Sequence, residues 1–167
     1  MGEQRERRLI SEWAIAKHSK DHVMFNIPIG EVRNEFIIKY GPQRAEKASK
    51  PWRLEVDAVV VTRTELILAE AKIFQIRNAV ADLLCYRPLV QSTPELRQWK
   101  DLPLRMVVII PWTSRVVDEM CSANGIEVDV FAPEWVAAFV EEHGKYWTRP
   151  YQEARQERKR LREALGL

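Results

Sequence analysis

Three ionisable residues in the middle of the chain, Asp57, Glu70 and Lys72, have the types and the spacing to do chemistry. They lie in two short apolar runs, Arg53 to Val61 and Leu66 to Lys72, either side of the polar tetrapeptide Thr62-Arg-Thr-Glu65. That pattern predicts a β-hairpin, although Arg63-Thr64 lacks the Gly or Asn of a favoured two-residue turn. A loop centred between Arg63 and Thr64 pairs residues whose numbers sum to 127, which sets Asp57 opposite Glu70 and Glu55 opposite Lys72. Opposed side chains have Cβ atoms about 4.5–5.5 Å apart, and the two-residue period puts Glu70 and Lys72 on one face.

Two carboxylates that close at the apolar centre of a sheet repel each other and resist desolvation. A divalent cation between them is an economical compensation, and oxygen ligands favour Mg²⁺ or Mn²⁺. Such an ion polarises a phosphodiester, lowers the pKa of bound water and stabilises charge on the leaving oxygen. Lys72 would then orient the attacking water and stabilise negative charge in the transition state. The same residues also suit an ion-pair cluster in which Lys72 neutralises Glu55 and Glu70.

The elements that must hold these residues can be read from periodicity. Arg8 to Lys20 predicts a helix with Leu9, Ile10, Trp13, Ile15 and Ala16 on a broad apolar side; after a break over Asp21 to Pro28, Gly30 to Tyr40 predicts a second, ended by Gly41-Pro42. Lys39 to Arg53 is a basic, flexible-looking segment. Beyond the hairpin, Ile76 to Val90 reads as a helix, Leu104 to Ile110 as a strand, Ser114 to Ala123 as a helix and Ile126 to Phe131 as a strand. Pro133 opens another helix with Gly144 as its stop, and a last helix covers about Pro150 to Leu165. The order α, α, β, β, α, β, α, β, α, α predicts an α/β fold with one mixed sheet flanked by helices. The whole chain reads as a single domain with its core over about residues 30–131.

Asp57, twelve residues, then Glu70-Ala71-Lys72 on a hairpin resembles the PD-(D/E)xK nuclease superfamily. Val56 stands where that family often has Pro, which removes no ligand. The resemblance implies a restriction-endonuclease-like mixed sheet with an αβββαβ-type core. It implies metal binding by Asp57 and Glu70, a ligand from the Ala71 carbonyl, and a Lys72 that assists the water. Ala79-Val-Ala-Asp-Leu-Leu-Cys-Tyr86 is similar to the helix after the active site in RecB-like members, which carries Gln-x-x-x-Tyr. Tyr86 matches that motif and Asp82 replaces its Gln. The family implies that this pair borders the site, whereas Asp82 adds negative charge beside scissile phosphates. Many members draw a further metal ligand from a Glu on a helix before the hairpin; Glu31 and Glu35 share a helix face, and Glu35 is the preferred candidate.

The rest of the sequence bounds the function. The 167 residues suit one domain that folds without a metal or disulfide staple, and 46% apolar content excludes a disordered chain. Cys85 and Cys121 form no CxxC and the three His no cluster, so a zinc site is not indicated and a reducing compartment is. Met1 to Arg8 mixes charges of both signs without an apolar run, so no secretory leader is expected, and the expected location is the cytoplasm. No apolar stretch is long enough to span a membrane. The net charge of +2 hides separated parts. Lys47, Lys50 and Arg53, with Trp52 for stacking, form a candidate nucleic-acid-binding surface ahead of Asp57, which Tyr86 would border. The last helix sets Arg155, Arg158, Lys159, Arg160 and Arg162 beside an apolar line of Tyr151, Ala154, Leu161 and Leu165. It suits a nucleic-acid backbone, a partner helix or a second copy of the chain. The expected function is a Mg²⁺- or Mn²⁺-dependent DNA nuclease, and the alternative is an inactive nuclease-like domain serving as a binding or assembly module.

Overall fold

The computed structural model describes residues 2–145 and 149–164. They fall into two compact units that divide after Phe131. In the first, α1 (Gly2–His18) precedes β1 (His22–Ile29), then α2 (Asn34–Tyr40) and α3 (Pro42–Ser49). The hairpin strands β2 (Leu54–Val61) and β3 (Leu66–Ala71) follow, then α4 (Ile76–Tyr86), β4 (Leu104–Ile110), α5 (Arg115–Ala123) and β5 (Ile126–Val130). The second unit contains α6 (Glu134–Lys145) and α7 (Arg149–Ala164). The fold is α/β, with a five-stranded mixed open sheet in the order β1-β2-β3-β4-β5 flanked by helices.

β1 to β3 run antiparallel, and β3 to β5 run parallel. The hairpin forms in the expected register: Ala58 pairs with Ala69, Val59 with Leu68 and Val60 with Ile67. Its turn needs no Gly, because the Thr62 hydroxyl accepts from the amides of Thr64 (3.2 Å) and Glu65 (3.0 Å). β3 is buried along its whole length, so it needs cover on both faces. α4 packs on one face, where Val80, Leu83 and Tyr86 join Val59, Leu66, Leu68 and Val108. α1 packs across β1, β2 and β3 on the other with Leu9, Ile10, Trp13 and Ala14 buried.

Three sequence expectations are corrected. The break over Asp21 to Pro28 is the strand β1, at the sheet edge, where Pro28 sacrifices no ladder bond on its outer side. The flexible-looking basic segment is α3 followed by a 3₁₀ turn over Lys50–Trp52. Gly144 lies inside α6 and does not end it. On α7, Arg155, Arg158, Lys159, Arg160 and Arg162 are exposed, and so are Ala154 and Leu161; Leu165 and the Tyr151 side chain lie outside the described residues. Among the described residues, no helix is long and apolar enough to cross a membrane.

Candidate active site

The hairpin opens at its chemically interesting end. Past the pair Ala58 and Ala69 the strands stop exchanging main-chain bonds, and the two carboxylates fill the gap. The Asp57 amide donates to Glu70 Oε1 (3.0 Å), and the Ala71 amide donates to Asp57 Oδ2 (3.0 Å). Each side chain thus accepts the bond that the splayed strand opposite no longer takes. On the other side of β2, Asn26 faces Asp57 with φ +53° and drops out of the β1 register. The core-facing parity switches there on both strands, from Met24 to Ile27 and Ile29 and from Val56 to Val59 and Val61. A left-handed residue in a strand is a local kink that Asn tolerates better than most. It turns β2 at the level of Asp57.

Glu70 is 2% exposed. Burial, together with the adjacent Asp57 carboxylate, pushes its pKa up to about 9 against the pull of Lys72. The shift favours the protonated carboxyl in the metal-free protein, and the two acids lie close enough to act on each other. Lys72 Nζ sits 3.7 Å from Glu70 Oε2 and 3.6 Å from Glu6 Oε2. Burial works against its ammonium, yet Asp57, Glu70, Glu6 and Asp82 together outweigh burial and raise its pKa. Lys72 is held as a cation. That charge state suits electrostatic stabilisation and water orientation and excludes proton abstraction by its amine.

Glu6 is the residue that sequence reasoning missed. It projects from α1, accepts from the Ile73 amide (3.3 Å) and is pushed up in pKa mainly by burial. α1 is held across the sheet by its apolar side, by Trp13 Nε1 donating to Asp129 Oδ2 (2.8 Å), and by Lys17 paired with the same carboxylate. The signal available in sequence is weak: one Glu, a turn ahead of an apolar stripe, two residues before the start that periodicity predicts for the helix. Glu35, the expected extra ligand, instead lines a separate cleft on α2. Glu55 does not face Lys72; it pairs with Lys50 (3.9 Å), because the kink at Asp57 breaks the parity on which that expectation rested.

α4 brings Asp82 and Tyr86 toward the cluster. The pKa of Asp82 is raised, chiefly by burial, and its charge acts on Lys72. Tyr86 is 5% exposed, donates to the Glu55 carbonyl (2.8 Å) and has its phenol pKa raised by burial and by Glu70. It braces the β2 side of the site from within and is not a surface group. Arg53 is also internal: its guanidinium grips Glu95 (2.8 and 2.7 Å) and the carbonyls of Pro28 and Gly30 (3.0 and 2.6 Å). It locks the β1–α2 junction and is not free for a phosphate. Lys47, Lys50 and Trp52 are exposed.

The parallel strands β3, β4 and β5 end on the side of the sheet where β2 begins, and the cluster sits at those strand ends. The loops there add Phe74 and Trp112, whose rings meet edge-on at 6.2 Å. In open α/β sheets the carboxyl ends of strands are the usual place for a ligand. The donor set suits a hard cation in part: Asp57 and Glu70 offer oxygens, and the Ala71 carbonyl turns toward β2, as its amide does. Among the described residues, no group of three or more His, Cys, Asp or Glu side chains is gathered as a metal centre would require. Any ion held here would complete its shell with the Ala71 carbonyl and water. No protein-family model, curated protein or solved structure matches the chain.

Proposed function

We propose that the protein is a Mg²⁺- or Mn²⁺-dependent nuclease that hydrolyses DNA phosphodiester bonds at the Asp57–Glu70–Lys72 cluster. The observation that carries the reading is a pair of acids in contact at the end of a splayed hairpin, one of them buried, facing a lysine kept as a cation. The element order α1-β1-β2-β3-α4-β4, with α2 and α3 inserted, agrees with the αβββαβ-type core that the PD-(D/E)xK resemblance implies.

Asp57, Glu70 and the Ala71 carbonyl would hold the cation, which supplies a polarised phosphate and an acidified water when bound. Glu70 would serve as a ligand only in its carboxylate form, its proton having passed to solvent. Lys72 orients the water and stabilises charge on the phosphorane-like transition state, and Glu6 keeps the ammonium on the site side of β3. Asp82 adds negative charge near the substrate and makes the cation more necessary. Incubation with supercoiled, linear and single-stranded DNA, with Mg²⁺, Mn²⁺ or chelator, tests this. Metal-dependent cleavage that Lys72→Met abolishes is the expected result; no cleavage of any substrate, or equal cleavage by the variant, overturns it.

A second reading has its own observation. Asp57 Oδ2 and Glu70 Oε1 already accept main-chain amides, so the pair also serves as a cross-strand brace in an inactive module. Such a brace gains no thermal stability from Mn²⁺, whereas a metal-binding pair does.

A further inference from the structure

α2 is unusual among the helices of the first unit: it buries none of its residues, although Phe36, Ile37, Ile38 and Tyr40 are four of its seven. Its aromatic side chains are organised nonetheless. Phe36 stacks on Tyr40 (6.2 Å, 25° between planes) and leans on Trp52 (5.3 Å), which is 62% exposed. Lys39 Nζ lies 5.2 Å from the Tyr40 ring centre. Arg33, Glu35, Phe36, Lys39, Tyr40 and Trp52 line a cleft of about 320 Å³. None of the three charged residues takes part in an ion pair among the described residues.

We propose that this cleft binds one unpaired nucleotide of a single-stranded nucleic acid. Aromatic faces accept any base by stacking, at about 1–3 kcal/mol per base. Arg33 and Lys39 supply cations for the flanking phosphates, and Glu35 supplies an acceptor for a base amino group. The volume falls at the lower end for small-ligand sites, as a single nucleotide requires. A double helix hides its base faces and could not enter. An apolar protein surface would leave the two cations and the carboxylate desolvated without partners.

The cleft also lies within reach of the carboxylate cluster. Trp52 precedes Asp57 by five residues at the end of β2 nearest the site, so backbone reach limits their separation to about 18 Å. That is a span of a few nucleotides of extended strand. Assigning the bound strand to the substrate rests on the nuclease reading; the binding itself does not.

The test uses Asp57→Asn full-length protein, which cannot degrade the probe, and a fluorescein-labelled thymidine oligomer of about 12 nucleotides. Anisotropy should show binding that Trp52→Ala weakens by about 5- to 100-fold and that Trp52→Phe largely restores. Arg33→Ala should reduce the salt dependence by about one phosphate contact. Both side chains are exposed, and thermal melts should be unchanged. A duplex of the same length should bind more weakly and respond little to Trp52→Ala. Unchanged oligomer affinity in Trp52→Ala overturns the proposal, as does equal loss for the duplex or full competition by inorganic phosphate. Dissociation of a dimer by Trp52→Ala in sedimentation makes the cleft an interface between copies and also overturns it. Oligomer binding without metal-dependent cleavage by the unsubstituted protein would sink the nuclease reading and leave this one standing.

Discussion

Glu70→Gln should abolish a pH dependence of stability that runs opposite to ordinary acid denaturation. In the folded metal-free protein burial and the Asp57 carboxylate push the Glu70 carboxyl up to about 9, against 4.5 for an ordinary glutamate. The folded state therefore binds the extra proton between those values, and stability falls as pH rises through that window. The slope is at most about 1.4 kcal/mol per pH unit, so by about pH 7.5 the accumulated loss is on the order of 4 kcal/mol. Glu6 and Asp82, whose pKa values are also raised, act in the same direction. Lys72 has a raised pKa too, but its stabilisation is complete below the ordinary lysine value and stays level across the window. Gln keeps the shape and the acceptor for the Asp57 amide while carrying no charge in either state. Chemical denaturation in chelator at about pH 5, 7 and 9 should show the wild type weakening and Glu70→Gln nearly level. The variant should then be the more stable protein at alkaline pH, by roughly 5–15 °C in Tm. Adding Mn²⁺ should reverse the order, since the ion replaces the proton, and apparent affinity should climb up to about tenfold per pH unit. Wild-type stability that rises between pH 5 and 8, or an equal slope in the variant, refutes the reasoning.

Glu6→Gln should lower cleavage by about 10- to 100-fold, as expected for a group that holds Lys72 from outside, and leave the Mn²⁺-induced Tm shift in place; steady-state cleavage and thermal melts check both. Arg53→Ala should destabilise the fold by about 3 kcal/mol, because Glu95 and two carbonyls lose a mostly buried guanidinium, and Arg53→Lys should not recover the bidentate contact; denaturant midpoints decide it. Asn26→Val should cost about 1–2 kcal/mol at φ +53°, whereas Asn26→Gly should be close to neutral in the same measurement. Trp112→Ala should cost some stability, as the residue is only 40% exposed, and raise KM more than it lowers kcat on DNA; thermal melts and steady-state cleavage check both.

Local pattern made some of this legible. Two apolar runs about Thr62–Glu65 specify a buried hairpin, because a slip of one residue would turn every side chain to the wrong face. The contact of Asp57 with Glu70 follows from that register, and so does the placing of Glu70 with Lys72. The mixed sheet with flanking helices follows from the alternation of element types. β1 was not legible, since Asn26 and Pro28 are breakers in isolation and become acceptable only at an edge strand beside a kink. The same kink took Glu55 away from Lys72, because two-residue parity assumes a regular strand. Arg53 reads as a surface cation until the fold carries Glu95 to it across 42 residues. Glu6 reaches Lys72 only because α1 crosses the sheet and is pinned to Asp129 on β5. Sequence spacing controls contacts within one hairpin or helix, where backbone geometry is the ruler. Contacts between layers depend on where buried faces come to rest, and packing of the whole core decides that.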